Sequence, residues 1–323
     1  MIYDRREGES FDDYALRLYD NAGDYGLTVV RIAELLNKQS NIQRGESSLR
    51  MFYKGYKKGL ERGRGANASD RILCISDLHF PFALPISTFA DYFGKVDTLV
   101  LNGDIVDGQA ISKFPKTYRK SPMEEIIGAR RYLFDLISNI RPTRVFVNYG
   151  NHDMRLQSYL AKNLDSDLLE LMPQTPLELI FVDGFNHYDK ENGVKTWYEP
   201  LCKLFDDVEI KYTDNWWFQY KNVIFCHPAA FSSGMMKTAE NAMTYFRNEG
   251  VVFTELVMAH THRLGEYVIG NTTLYEQGCC CDVTKNNYCD GKLVKTQKEG
   301  FLFMCLDDKD EVIRDETKLI RLN

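Results

Sequence analysis

Five short apolar runs in this chain each stop within four residues of a polar motif built from aspartate, asparagine or histidine. Ile72-Leu73-Cys74-Ile75 precedes Asp77, Thr98-Leu99-Val100-Leu101 precedes Asp104, and Arg144-Val145-Phe146-Val147 precedes Asn151. Val223-Ile224-Phe225 precedes His227, and Glu255-Leu256-Val257-Met258 precedes His260. Short, nearly continuous apolar runs of this kind are strands buried on both faces. Helical patterns lie between them, over 123–138 and 237–248. The alternation predicts an α/β domain with its reactive side chains gathered at the carboxyl ends of several strands.

Those ends carry Asp77-Leu78-His79, Gly103-Asp104, Gly150-Asn151-His152-Asp153, His227 and His260-Thr261-His262. Five of the six histidines fall in these motifs, and only His187 lies outside them. Imidazole, carboxylate and amide donors at such points suit a pair of divalent cations. Two cations about 3.5–4 Å apart can clamp both the attacking and the leaving oxygen of a phosphoryl group, so the chemistry indicated is phosphoester hydrolysis.

The first seventy residues differ from the rest. Phe11, Tyr14, Ala15 and Leu18 recur at helical spacing, as do Val29, Ile32, Ala33 and Leu36, with Thr28 as candidate N-cap. The stretch 27–36 resembles the first half of a helix-turn-helix, and a third helical pattern covers 48–61. Between 26 and 65 there are nine Lys and Arg against three Glu, a local charge of +6 on a chain whose total is -6. That asymmetry suits contact with DNA or RNA, or with a protein partner, through residues 26–65. The expected organisation is a basic helical domain over 1–65, a linker over 66–70 and a catalytic domain over 71–323.

The polar, charged start of the chain lacks the apolar segment of a signal peptide, and no apolar run approaches the roughly 18 residues of a membrane span. Cytoplasmic residence without membrane contact is the expectation, with the eight cysteines as reduced thiols.

In order and spacing, the five motifs resemble the calcineurin-like metallophosphoesterase family, over roughly 71–308. The resemblance extends to phage and bacterial members that begin with a helical domain, through 259–264, 278–282 and 299–301. It implies a four-layer α/β/β/α sandwich of two mixed sheets. It also implies Asp104 as a carboxylate bridging two divalent cations (manganese, iron or zinc). Asp77, His79 and His262 would complete the first metal, and Asn151, His227 and His260 the second. A metal-activated hydroxide would attack phosphorus, with His152 as general acid or transition-state stabiliser; Asp153 beside it is placed to orient the imidazole. Two positions depart from the family pattern. Ala259 replaces a glycine. Gly108, after Asp107, stands where the Ser/Thr protein phosphatase branch carries a phosphate-clamping arginine, which points away from that branch.

A nucleic-acid or nucleotide phosphodiester is the expected substrate; a phosphomonoester is the alternative. The rival of another class is a DNA-binding or partner-docking module with the metal domain as scaffold. Further phosphate contacts are expected from Lys116 and Arg119, in the basic, aromatic stretch 112–121, and from Arg155 and Arg263. Cys279-Cys280-Cys281, with Cys289, lacks the usual zinc spacing. Neighbouring strand residues point to opposite faces, so all three cannot readily bind one ion. Trp216-Trp217-Phe218 reads as core or sheet-edge packing, and His187 as a surface or packed histidine.

Overall fold

The computed structural model describes residues 4–5, 9–23, 25–39, 44–63, 68–113, 120–285 and 297–322, without side chains for 55–63. The chain divides into two compact units, Met1–Asn67 and Ala68–Asn323.

The first unit holds three helices: α1 (Phe11–Asp20), α2 (Val29–Lys38) and α3 (Glu46–Gly63). Ser10 and Thr28 cap the first two, each accepting a hydrogen bond from the backbone N–H three residues on. Tyr14, Leu18, Ile32, Leu36 and Leu49 form its core.

The second unit contains two main sheets. One has the order β13-β12-β1-β2-β3-β6. Its strands are β1 (Asp70–Ile75), β2 (Thr98–Asn102), β3 (Arg144–Asn148), β6 (Glu209–Thr213), β12 (Gly300–Leu306) and β13 (Lys318–Arg321). The other has the order β10-β11-β9-β8-β7, built from β7 (Trp217–Tyr220), β8 (Val223–Cys226), β9 (Glu255–Met258), β10 (Leu264–Ile269) and β11 (Thr272–Gln277). A ribbon of β4 (Phe185–Asp189) and β5 (Val194–Tyr198) carries His187. The five strands expected from the sequence form where expected, each longer by at most two residues.

Strand alternation sorts side chains into layers. In β1, Leu73 and Ile75 pack toward α4 (Pro122–Ile140), while Ile72 and Cys74 enter the core between the sheets. Val100, Phe146, Val223, Phe225 and Val257 meet them there. On the outer face of the second sheet, Ile224, Cys226, Leu256 and Met258 pack against a helix at Lys237–Asn248. This is the expected helix–sheet–sheet–helix sandwich. β1, β2 and β3 run parallel, as do β8 and β9, so the ends bearing the motifs share one edge of the sandwich.

Candidate metal centre

The turns leaving these strands are conformationally unusual. Among the described residues, nine non-glycine positions have positive φ, and five of them are Asp77, His79, Asp104, His260 and His262. Left-handed backbone is costly for residues with a Cβ and persists where the surroundings impose it, often at functional sites. Two glycines provide the close approach around Asp104. A Cβ on Gly103, at φ 78°, would stand 2.6 Å from His227 Nδ1; one on Gly150 would stand 2.5 Å from the Asp104 backbone nitrogen.

The result is a buried cluster. Asp77, His79, Asp104, His227 and His262 are each at most 5% exposed. His262 Nε2 lies 3.1 Å from Asp77 Oδ1 and 3.1 Å from His79 Nε2. Asp104 Oδ2 lies 3.2 Å from His227 Nε2 and 3.7 Å from His79 Nε2. Donor atoms of Asp77, His79 and His262 fall within 4.8 Å of one another, and so do those of Asp104, His227 and His260.

Imidazole orientation follows from the far nitrogens. His227 Nδ1 donates to the Asn102 carbonyl at 2.8 Å, which leaves Nε2 directed at the cluster. His79 Nδ1 is 3.4 Å from Asp107 Oδ1, and His262 Nδ1 meets the Gln297 amide at 2.9 Å. The sequence reading did not single out Asp107 or Gln297 as partners. Asp107 is 2% exposed and also holds His152, whose Nδ1 lies 3.0 Å from Asp107 Oδ1.

That contact corrects the role expected of Asp153. Its carboxylate accepts from the backbone N–H groups of Gly150, Ile105 and Val106, so it ties two motif turns together rather than orienting His152. Arg155 stands at the site: Nη2 is 3.0 Å from His152 Nε2, and Nη1 donates to the Asp107 carbonyl at 2.6 Å. Arg263 does not reach it as a phosphate contact. It is 4% exposed, donates to the carbonyls of Ser232, Ser233 and Gly234, and stacks over Phe231. Lys116, Arg119 and Cys289 lie outside the described residues.

Electrostatics favour cations here. Burial opposes ionisation of Asp77, but the imidazoles of His262 and His227 outweigh it and hold the carboxyl below its usual range. Asp104 is held well below its usual range against burial, chiefly by His227 and His152. In return, Asp104 and Asp77 overcome the burial of His227 and raise it to about 9. Burial and the neighbouring His227 push His260 down to about 4, leaving it neutral, as a metal ligand must be.

Three buried atoms supply the fit test. Among the described residues, Asn151 Oδ1 is buried with no hydrogen-bond partner, and Asp77 Oδ1 and His227 Nε2 are buried with charged neighbours at 3.1 and 3.2 Å but no aligned hydrogen bond. An unpaired buried acceptor costs about 1–3 kcal/mol, which coordination would remove. The oxygen and nitrogen donors present therefore fit divalent metal ions.

Residues 70–264 match the model of the calcineurin-like phosphoesterase family, and residues 2–68 match the YonJ N-terminal domain. The chain belongs to the calcineurin-like phosphoesterase family, and it is a metal-dependent phosphoester hydrolase. Similar solved structures include Vacuolar Protein Sorting 29 from Cryptosporidium parvum, at 14% identity and TM-score 0.36, covering 80% of this chain and 100% of that one. An archaeal phosphodiesterase aligns at 12% identity and TM-score 0.36, covering 78% and 99%. A zinc complex of Vacuolar Protein Sorting 29 from Entamoeba histolytica aligns at 14% identity and TM-score 0.37, covering 78% and 98%. No curated protein sequence matches the chain. Among the described residues, no helix is long and apolar enough to cross a membrane.

Proposed function

We propose that the chain hydrolyses phosphodiesters of nucleotides or nucleic acids at a dinuclear centre bridged by Asp104. The observation that carries the dinuclear reading is the position of Asp104 Oδ2, between His79 of one donor set and His227 of the other. In this reading Asp77, His79 and His262 would hold one cation and Asn151, His227 and His260 the other, with manganese, iron and zinc all compatible with the donors. When bound, the cations supply Lewis-acid polarisation of the phosphoryl group and acidify water.

The remaining chemistry belongs to the chain. Burial lowers the His152 pKa, so the resting imidazole is neutral, with Nε2 accepting from Arg155 and Nδ1 donating to Asp107. Asp107 stays ionised, since its contacts to His152 and His79 outweigh burial. Its charge stabilises the imidazolium that His152 becomes when it takes up a proton at Nε2, the form able to protonate a leaving oxygen. Arg155 then has a guanidinium to offer the phosphoryl oxygens.

A cavity of about 510 Å³ opens beside Asn151 and His227. Tyr149, Met154, Trp216 and Tyr245 line it, and among the described residues its lining includes no Lys, Arg, Asp or Glu. Aromatic walls next to a metal position suit a flat, uncharged group such as a nucleobase esterified to the reacting phosphate. Trp216 is thus a wall of this cavity as well as a packing residue on Phe246. In the helical unit, Arg31, Lys38, Arg44, Arg50 and Lys54 are exposed, consistent with polyanion contact; Lys57, Lys58, Arg62 and Arg64 lie outside the described side chains.

The test is hydrolysis, with manganese, of bis-p-nitrophenyl phosphate beside p-nitrophenyl phosphate. Preference for the diester supports the reading. Preference for the monoester overturns the diester assignment and redirects the search to nucleotide monophosphates and phosphoproteins.

A further inference from the structure

The cysteine cluster finds a partner that its sequence spacing hides. After β11 the chain turns at Gly278 and bends again at Cys280. Cys279 bridges to Glu299 and Cys281 to Ala83. Backbone bonds from Cys280 N to the Ser76 carbonyl, and from Leu84 N to the Cys280 carbonyl, hold the segment in place. Cys280 joins the apolar core, while the sulfurs of Cys279 and Cys281 lie near each other and near a nitrogen of His262. The three donor atoms lie within 4.8 Å of one another, and all three side chains are buried. His262 stands 17 positions before Cys279, so only the fold brings the set together.

Two sulfurs and an imidazole are a soft donor set. They suit zinc or cadmium, whereas manganese and magnesium prefer oxygen. His262 is also a donor of the Asp77–His79 set, and a neutral imidazole has a single nitrogen lone pair to give. One His262 therefore serves one of the two sets at a time.

We propose that Cys279, Cys281 and His262 form a site for a thiophilic divalent cation, zinc or cadmium, and that its occupation withdraws His262 from the Asp77–His79 set. Binding exchanges the two thiol protons for the cation and releases them to solvent. The site makes the enzyme sensitive to which metal it meets. The second half of the proposal rests on the metal assignment given under Proposed function; the first half stands without it.

The experiment is a cadmium titration of the full-length, metal-free protein, followed by the ultraviolet sulfur-to-cadmium charge-transfer band. The band should grow to saturation in the wild type and in Cys280→Ser, and be lost in the Cys279→Ser/Cys281→Ser double variant. Persistence of the full band in the double variant, or its absence from the wild type, overturns the proposal. Cadmium NMR of the wild type gives a check that needs no variant. A resonance in the range of two thiolate ligands supports the site, and one confined to nitrogen and oxygen ligation contradicts it. Cadmium should also inhibit the manganese-loaded wild type more strongly than the double variant; equal inhibition overturns the competition for His262. Failure of the phosphodiesterase reading is seen separately, as absence of turnover with manganese while the spectral band remains.

Discussion

Asp107, which is in neither proposed ligand set, touches three functional side chains of the site. One carboxylate reaches Nδ1 of both His79 and His152, and its backbone carbonyl accepts from Arg155. Removing its charge should loosen the proposed metal ligand His79 and the proposed proton carrier His152 together. Asp107→Asn is expected to lose roughly 10–100-fold in manganese affinity or turnover, with the fold intact by circular dichroism. Unchanged kinetics and affinity would remove Asp107 from this role. The clustering of the candidate donors was legible in the sequence, because each sits at a strand end in a short motif. The sequence reading misplaced their supports. Asp153 is next to His152 along the chain yet faces backbone amides, while Asp107, 45 positions away, faces the imidazole. The turns carrying Asp107 and His152 follow β2 and β3, which pair side by side, and that neighbourhood does not show in chain adjacency.

At the scale of elements, continuous apolar runs identified the central parallel strands because both faces of each are buried. The edge and antiparallel strands were not legible. β5 and β10 are largely exposed, and β13 is short, so none shows a buried run. Helix α4 was legible by period, and its start is fixed by a capping box: Ser121 accepts from Glu124 N, and Glu124 accepts from Ser121 N. Ser121→Ala should lower stability by about 1 kcal/mol. A shifted urea midpoint with unchanged turnover would bear this out; loss of turnover at unchanged stability would mean that Ser121 acts at the site.

Across the whole sandwich, one buried carboxylate links the two sheets. Asp70 on β1 accepts from Thr98 of β2 and from Tyr220 of β7, and lies 3.2 Å from both Arg144 and Lys221. Burial opposes its ionisation, but these hydroxyls and cations together lower its pKa below the ordinary value. A pKa lower in the folded than in the unfolded chain stabilises the fold above the unfolded value, about 3.9. That stability is lost as pH falls from there through the folded value. Acid unfolding should therefore steepen below about pH 4, and Asp70→Asn should flatten that limb while being less stable at neutral pH. Identical acid limbs in the two proteins would contradict the assignment. The family architecture was legible from motif order. The sulfur–imidazole cluster was not, since contact between His262 and Cys279 arises only after β10 and β11 fold back on each other.

A two-cation centre bridged by Asp104 fixes how much metal the chain should hold. Wild type and Asp104→Asn are loaded with manganese, freed of excess metal, and measured by elemental analysis. Two ions per chain are expected in the wild type and at most one in the variant, with turnover abolished. One ion per wild-type chain, or an active Asp104→Asn protein that still holds two, would contradict it.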